Sequence, residues 1–160
     1  AGQEQATPEE PAGTDTAAVS GGAVEPPAAA TTGSASGLSG LGRPTDAAIS
    51  RPFSRTPGPD RNDGVDFATA AGDPVRAAGS GTVALISQSL GGLGTIVLIR
   101  HDNDYLTVYG RLADVTVSKG DRVQSGQVIA RVADLAPPQG PSLHYEIRRG
   151  AESIDPTPYL

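Results

Sequence analysis

From Ile49 onward the chain is divided into short runs rich in β-branched residues, each bounded by Gly, Asp or Asn. The clearest are Gly81–Ser87, Gly94–His101, Asp104–Tyr109, Gln127–Val132 and Leu143–Arg148. None has the length or period of a helix, so the predicted class is all-β and antiparallel. A repeat points the same way. Gly72-Asp73-Pro74-Val75 leads into the run at Thr82, and Gly120-Asp121-Arg122-Val123 leads into the run at Gln127, 48 residues apart by turn. A Gly-Asp turn feeding a strand twice predicts a β sandwich or barrel with approximate two-fold character. With six aromatics, no Trp and no Met in 160 residues, the predicted core is aliphatic.

Residues 1–48 read differently. Ala, Gly, Thr, Pro and Ser fill most of this stretch, and it has no aromatic. It carries Glu4, Glu9, Glu10, Asp15, Glu25 and Asp46 against Arg43 alone, which is −5 of the chain's formal −6. Such a composition has too little apolar surface to offset the entropy of ordering, so a disordered linker is expected here, with a domain from 49 to 160. The linker reads as a tether to an upstream module or anchor. The lack of Met implies a processed or excised piece, no signal peptide is visible, and no apolar run approaches the ~20 residues of a membrane span. The acidic balance argues against nucleic-acid binding through a basic surface. With no Cys, disulfides and thiolate metal sites are excluded. Gly91, Gly92 and Gly94 precede no helix and so form no phosphate cradle.

Several segments together resemble the lysostaphin/LytM-type zinc metallopeptidases, which cut cell-wall peptide bridges. Asn62-Asp63-Gly64-Val65-Asp66 resembles the family's HxGxD, and Gly140-Pro141-Ser142-Leu143-His144-Tyr145-Glu146-Ile147 its GPHLHFEI. Both Gly-Asp turns, the stretch from His101 to Tyr109 and the closing Asp155-Pro156 with Tyr159-Leu160 fit as well. The resemblance implies a LytM domain of the duplicated hybrid motif type over about residues 50–160.

It also implies which residues would have done the chemistry. The family's zinc ligands fall on Asn62, Asp66 and His144, and its two further histidines on Arg111 and Ser142. A catalytic zinc needs three protein donors and an open position. A neutral amide is a poor donor, and a guanidinium stays protonated and cannot be a general base. The expected reading is therefore no enzyme, no catalytic residue, no metal and no cofactor. Strand alternation places His144 and Glu146 on the face opposite Leu143, Tyr145 and Ile147. Tyr109, Arg111 and His144 are expected to line one groove with Asp66, with Arg111 paired to Asp66 where the metal would have been. His101 is expected to be structural, and Arg148-Arg149 a solvated strand end.

Degenerate members of this kind resemble the murein hydrolase activators of the NlpD and EnvC type. The resemblance implies a periplasmic or cell-envelope factor whose groove (Asn62, Asp66, Tyr109, Arg111, Ser142 and His144) binds and activates a cell-wall amidase during division or wall remodelling. Peptidoglycan is the second candidate partner, which would make the domain a wall-binding scaffold. A third reading is an active zinc endopeptidase that recruits Asp63 in place of Asn62.

Overall fold

The computed structural model describes residues 40–88 and 93–160. Among the described residues ten strands run in chain order: β1 (Ile49–Arg51), β2 (Val65–Phe67), β3 (Pro74–Arg76), β4 (Gly81–Ser87), β5 (Thr95–Arg100), β6 (Tyr105–Ala113), β7 (Arg122–Val123), β8 (Val128–Val132), β9 (Leu143–Arg149) and β10 (Glu152–Ile154). Every pairing is antiparallel. The order is β1-β2-β9-β6-β5-β4-β7, with β10 on β9 and β8 joining β6 to β3. Among the described residues there is no α-helix; 3₁₀ turns include Asp102–Asp104 and Thr157–Tyr159. The five long runs seen in the sequence became β4, β5, β6, β8 and β9. The short strands lack enough residues to show a period.

The repeat is realised bond for bond. Gly72 N–H donates to Val132 O while Val132 N–H donates to Asp73 O; Gly120 N–H donates to Val83 O while Val83 N–H donates to Asp121 O. In each turn the Asp carboxylate accepts the N–H three residues back, Ala70 for Asp73 and Ser118 for Asp121, both at 2.8 Å. Each turn thus pairs with the strand of the other half, which gives the exchanged-hairpin, two-fold architecture. Gly72 and Gly120 sit at φ +84° and +92°, where a side chain would be strained.

The core is aliphatic, as expected, around Val65, Val75, Val83, Val97, Ile99, Ile129, Val132, Leu143 and Ile147. Its centre, however, is aromatic. Tyr145 lies 6.5 Å from Phe67 and 5.5 Å from Tyr109, ring centre to ring centre. The Tyr145 hydroxyl is buried with no hydrogen-bond partner, a state that costs roughly 1–3 kcal/mol. Tyr145→Phe is therefore expected to leave stability unchanged or raise it by up to about 1 kcal/mol. The urea midpoint would shift upward at unchanged slope.

Tyr109 is better served. Its oxygen accepts the Ala78 N–H at 2.8 Å and lies 2.9 Å from the Thr107 hydroxyl. Thr107 in turn meets His101 Nε2 at 2.7 Å, and His101 Nδ1 donates to Ser80 O at 2.8 Å. Burial lowers the His101 pKa, so the ring is neutral and Nε2 accepts. Each proton then has a place: Tyr109 donates to Thr107, and Thr107 to His101. His101 is structural, as expected.

Residues 40–48, expected to belong to the linker, pack on this sheet. Gly42 N–H donates to Ala78 O, Arg76 N–H to Pro44 O and Ala68 N–H to Ala48 O. Thr45 is buried, and the Arg43 guanidinium stacks 5.4 Å from the centre of the Phe67 ring. The packed unit therefore reaches upstream of Ile49. Backbone hydrogen bonds, that cation–π contact, an Arg76–Asp46 pair and the packing of Leu41 and Ala47 on the core hold this strap, and its Ala/Gly/Pro composition gave no sign of it. The remainder of the expected linker, residues 1–39, lies outside the described residues.

β6 turns a corner that shapes the site. Residues Tyr105–Gly110 pair with β9, whereas Leu112 and Ala113 pair with β8. Between them the register against β5 slips by one residue, and Arg111 takes φ +61°. This is a β-bulge, the device by which a strand leaves one neighbour for another and re-aims a side chain.

Candidate functional site

The site forms where β2, β6 and β9 run side by side. Asp66 is the register partner of His144, and His144 that of Gly110. Without the bulge, Arg111 would follow Tyr109 onto the core face, two residues on. In the left-handed conformation it crosses to the Asp66 side instead. Its Nη1 donates to Asp66 Oδ1 at 3.1 Å and to Ser142 Oγ at 2.9 Å. The side chains of Arg111 and Asp66 are 13% and 7% exposed, so this is a buried ion pair rather than a surface one. The expected pairing of Arg111 with Asp66 is present.

His144 stands between two carboxylates. Nδ1 is 2.6 Å from Asp66 Oδ1 and Nε2 is 2.8 Å from Glu146 Oε1. A neutral imidazole has one N–H and would turn a lone pair toward one of these oxygens. Both nitrogens must donate, so the ring is an imidazolium. Burial alone would lower its pKa, but hydrogen bonds and charge from Asp66 and Glu146 outweigh this and raise it above 6.5. At Asp66, burial pushes upward, while His144 and then Arg111 pull the pKa below 3.8. Arg148 Nη1 closes the series on Glu146 Oε2 at 3.3 Å and its Nη2 holds Ala151 O. The result is an alternating row: Arg111, Asp66, His144, Glu146, Arg148.

Tyr109 does not line this groove. It is fully buried against Tyr145 on the core face, because the bulge separates its direction from that of Arg111. Asn62 is buried, but its amide holds the loop before β2. Nδ2 donates to Arg51 O and Pro52 O, and Oδ1 accepts the Gly64 N–H. Asp63 turns outward and pairs with Arg61 at 3.1 Å. Asp66, Arg111, Ser142 and His144 therefore come together, while Asn62 and Tyr109 are used elsewhere. The sequence reading missed Glu146 and Arg148 as members. The signal was their alternation with His144 on one strand face, since a buried imidazole between carboxylates needs both.

A family model described as peptidase family M23 matches residues 60–156. The chain belongs to peptidase family M23. Its curated relatives include the uncharacterized lipoprotein YgeR of Escherichia coli, 36% identical over 119 residues, which covers 73% of this chain and 45% of that protein. The murein hydrolase activator NlpD of Salmonella dublin is 32% identical over 134 residues, or 84% of this chain and 35% of that protein. The chain thus spans less than half the length of either relative. Among solved structures, a zinc-containing peptidase from Vibrio cholerae matches with TM-score 0.63 at 31% identity, covering 71% of this chain and 37% of that one.

The residues of this M23 domain do not fit a catalytic zinc. Both polar atoms of Asn62 are committed to backbone groups, and both nitrogens of His144 are committed to carboxylates. The Arg111 guanidinium rests on Asp66, the anionic one of the three ligand positions, where its fixed charge opposes a divalent cation. Among the described residues no group of three or more His, Cys, Asp or Glu is placed to hold a metal ion.

The row has a pH signature. The raised His144 pKa contributes stability that is complete below about 6.5, the unfolded value, and is lost as pH rises through the folded value. The lowered Asp66 pKa contributes stability present above about 3.8 and lost as pH falls through its folded value. His101, with a lowered pKa, works in the opposite sense to His144 and loses its contribution as pH falls below about 6.5. The stability difference between the protein and His144→Gln isolates the first effect. It is expected to be largest in mildly acidic buffer and to shrink as pH rises past neutrality. A difference that grew with pH would contradict an imidazolium at His144.

Proposed function

We propose that this M23 domain is a cell-envelope factor without peptidase activity that binds a cell-wall amidase and activates it during division or wall remodelling. The observation that carries the reading is the Arg111–Asp66 pair beside an imidazolium, in a family that includes zinc peptidases. A general base is absent from this arrangement: Arg111 cannot accept a proton, and His144 already holds two. Relatives named as lipoproteins and as a murein hydrolase activator support placement in the periplasm or cell envelope. Activation needs no chemistry from this chain. It requires that the groove around Arg111, Ser142 and His144 bind the open state of the amidase better than the closed state. A tenfold gain in active amidase corresponds to about 1.4 kcal/mol of such preference.

The test is hydrolysis of purified sacculi by a cell-wall amidase, with and without the 160-residue chain. Several-fold stimulation is expected, with no release of muropeptides by the chain alone. Arg111→Lys keeps a cation but loses the fork, and is expected to lower stimulation while remaining folded by circular dichroism. An unchanged amidase rate, with the chain co-sedimenting with sacculi, would instead support the wall-binding scaffold. Muropeptide release by the chain alone would refute the reading.

A further inference from the structure

One difference between the two halves of the repeat opens a site. In the first half, Arg131 precedes the pairing residue Val132, and its guanidinium lies over the turn, donating to Gly72 O at 3.0 Å. By the matched hydrogen bonds, Val83 is the counterpart of Val132, so Thr82 is the counterpart of Arg131. Thr82 is too short to cover the second turn. A cleft of about 210 Å³ remains there, lined by Thr82, Val83, Ala84, Arg100, Lys119 and Gly120.

The charge around this cleft also differs between halves. Arg131 has Pro74 and Ala113 as register partners, whereas Thr82 has Arg122 and Arg100. The second row therefore sets two guanidinium-bearing residues on one sheet face, their Cα atoms roughly 10 Å apart with a small residue between. Lys119 adds a third cation on the turn itself. All three are exposed, and none is in an ion pair among the described residues. The nearest acidic side chain in sequence, Asp121, is bonded to Ser118 N–H.

We propose that the cleft over the Gly120–Asp121 turn is an anion site that takes a carboxylate-bearing peptide fragment of one or two residues. The volume is below that of a drug-sized pocket and suits such a fragment. Ala84 and the Gly120 backbone offer apolar contact to a small side chain, the Val83 side chain being buried in the core. Arg100 offers a bidentate fork to a carboxylate, and Lys119 a point charge. Inorganic phosphate fits less well. The Gly120 N–H is spent on Val83 O, so the turn presents no backbone cradle. The site shares no residue with the Asp66 row, and its existence does not depend on the amidase reading.

The probe is N-acetyl-alanyl-glutamate, titrated into the ¹⁵N-labelled chain and followed at the amides of Thr82, Ala84 and Gly120. Saturable shifts are expected there, with none for the corresponding neutral diamide. Thr82→Arg is the decisive variant. It adds a positive charge, here between Arg100 and Arg122, and would lay a guanidinium over the second turn as Arg131 does over the first, so it is expected to fill the cleft and weaken binding at least tenfold. Nonspecific attraction to a basic surface would instead make binding stronger, which would overturn the proposal. Arg100→Gln with Lys119→Gln is expected to weaken binding to a similar degree. Absence of saturable shifts in the unaltered chain, or equal shifts with inorganic phosphate at the same concentration, would overturn it too.

Discussion

Replacing Asp66 with alanine is expected to destabilise the domain by about 3–5 kcal/mol, the range seen when one member of a buried ion pair is removed. Asp66 Oδ1 serves both Arg111 and His144, so the loss strands two cations. They respond differently. His144 can release a proton and keep one bond to Glu146, whereas Arg111 cannot become neutral. That relief places the expected value toward the lower end, near 3 kcal/mol. It also predicts a second readout: in Asp66→Asn, the pKa of His144, followed by its ring proton shifts, should fall. Urea denaturation checks the first effect. A loss under about 1 kcal/mol would mean that the row behaves as an exposed surface pair.

Gly64→Ala is expected to be at least as severe. A Cβ at Gly64 would run into the Tyr145 carbonyl oxygen and would sit 2.7 Å from Glu146 Cγ. The obstacle is strand backbone rather than the end of a flexible side chain, so β2 could make room only by moving away from β9. That movement would separate Asp66 from His144 and loosen the Val65–Tyr145 register of the core. Overpacking usually costs 1–3 kcal/mol, and disruption of a buried charged network adds to it, so a total of about 4 kcal/mol or more is expected. Failure to accumulate folded protein is consistent with this. A urea midpoint close to that of the unaltered chain would show that the β2–β9 contact can relax.

The parts of the molecule that were legible in the sequence are those with a local signal. Five runs with β-branched content and turn boundaries became the five long strands, and the two Gly-Asp turns carry the predicted two-fold relation down to individual hydrogen bonds. The Arg111–Asp66 contact was legible because an unpaired carboxylate beside a cation has few alternatives. Tyr109 was misplaced for a specific reason. Strict alternation carries Tyr109 and Arg111 to one face, and only the left-handed bulge at Arg111 sends them to opposite ones. Nothing in a Tyr-Gly-Arg-Leu stretch announces that β6 exchanges β9 for β8 at that point. Asn62 keeps a family position but spends its amide on the Arg51–Pro52 backbone. The strap at 40–48 is held by main-chain hydrogen bonds together with scattered contacts of Leu41, Arg43, Asp46 and Ala47, which make no periodic pattern in the sequence.

Glu146 shows how tertiary context completes a site. Its position opposite Tyr145 and Ile147 reads as an ordinary solvent-facing residue of a half-buried strand. In the structure it is 5% exposed and holds His144 and Arg148 together. The positive charge of His144 therefore rests on two carboxylates from different strands, and the outer charges Arg111 and Arg148 close both ends. These alternating charges make the row a closed, largely buried network rather than a set of donors awaiting a cation.

Calorimetric titration of zinc into the chelator-treated 160-residue chain at neutral pH tests that central claim most directly. The expected result is no one-to-one isotherm with Kd below about 1 μM, a threshold of roughly 8 kcal/mol, and unchanged His144 ring resonances. One equivalent of zinc held more tightly than this, with displacement of the His144 protons, would contradict the account.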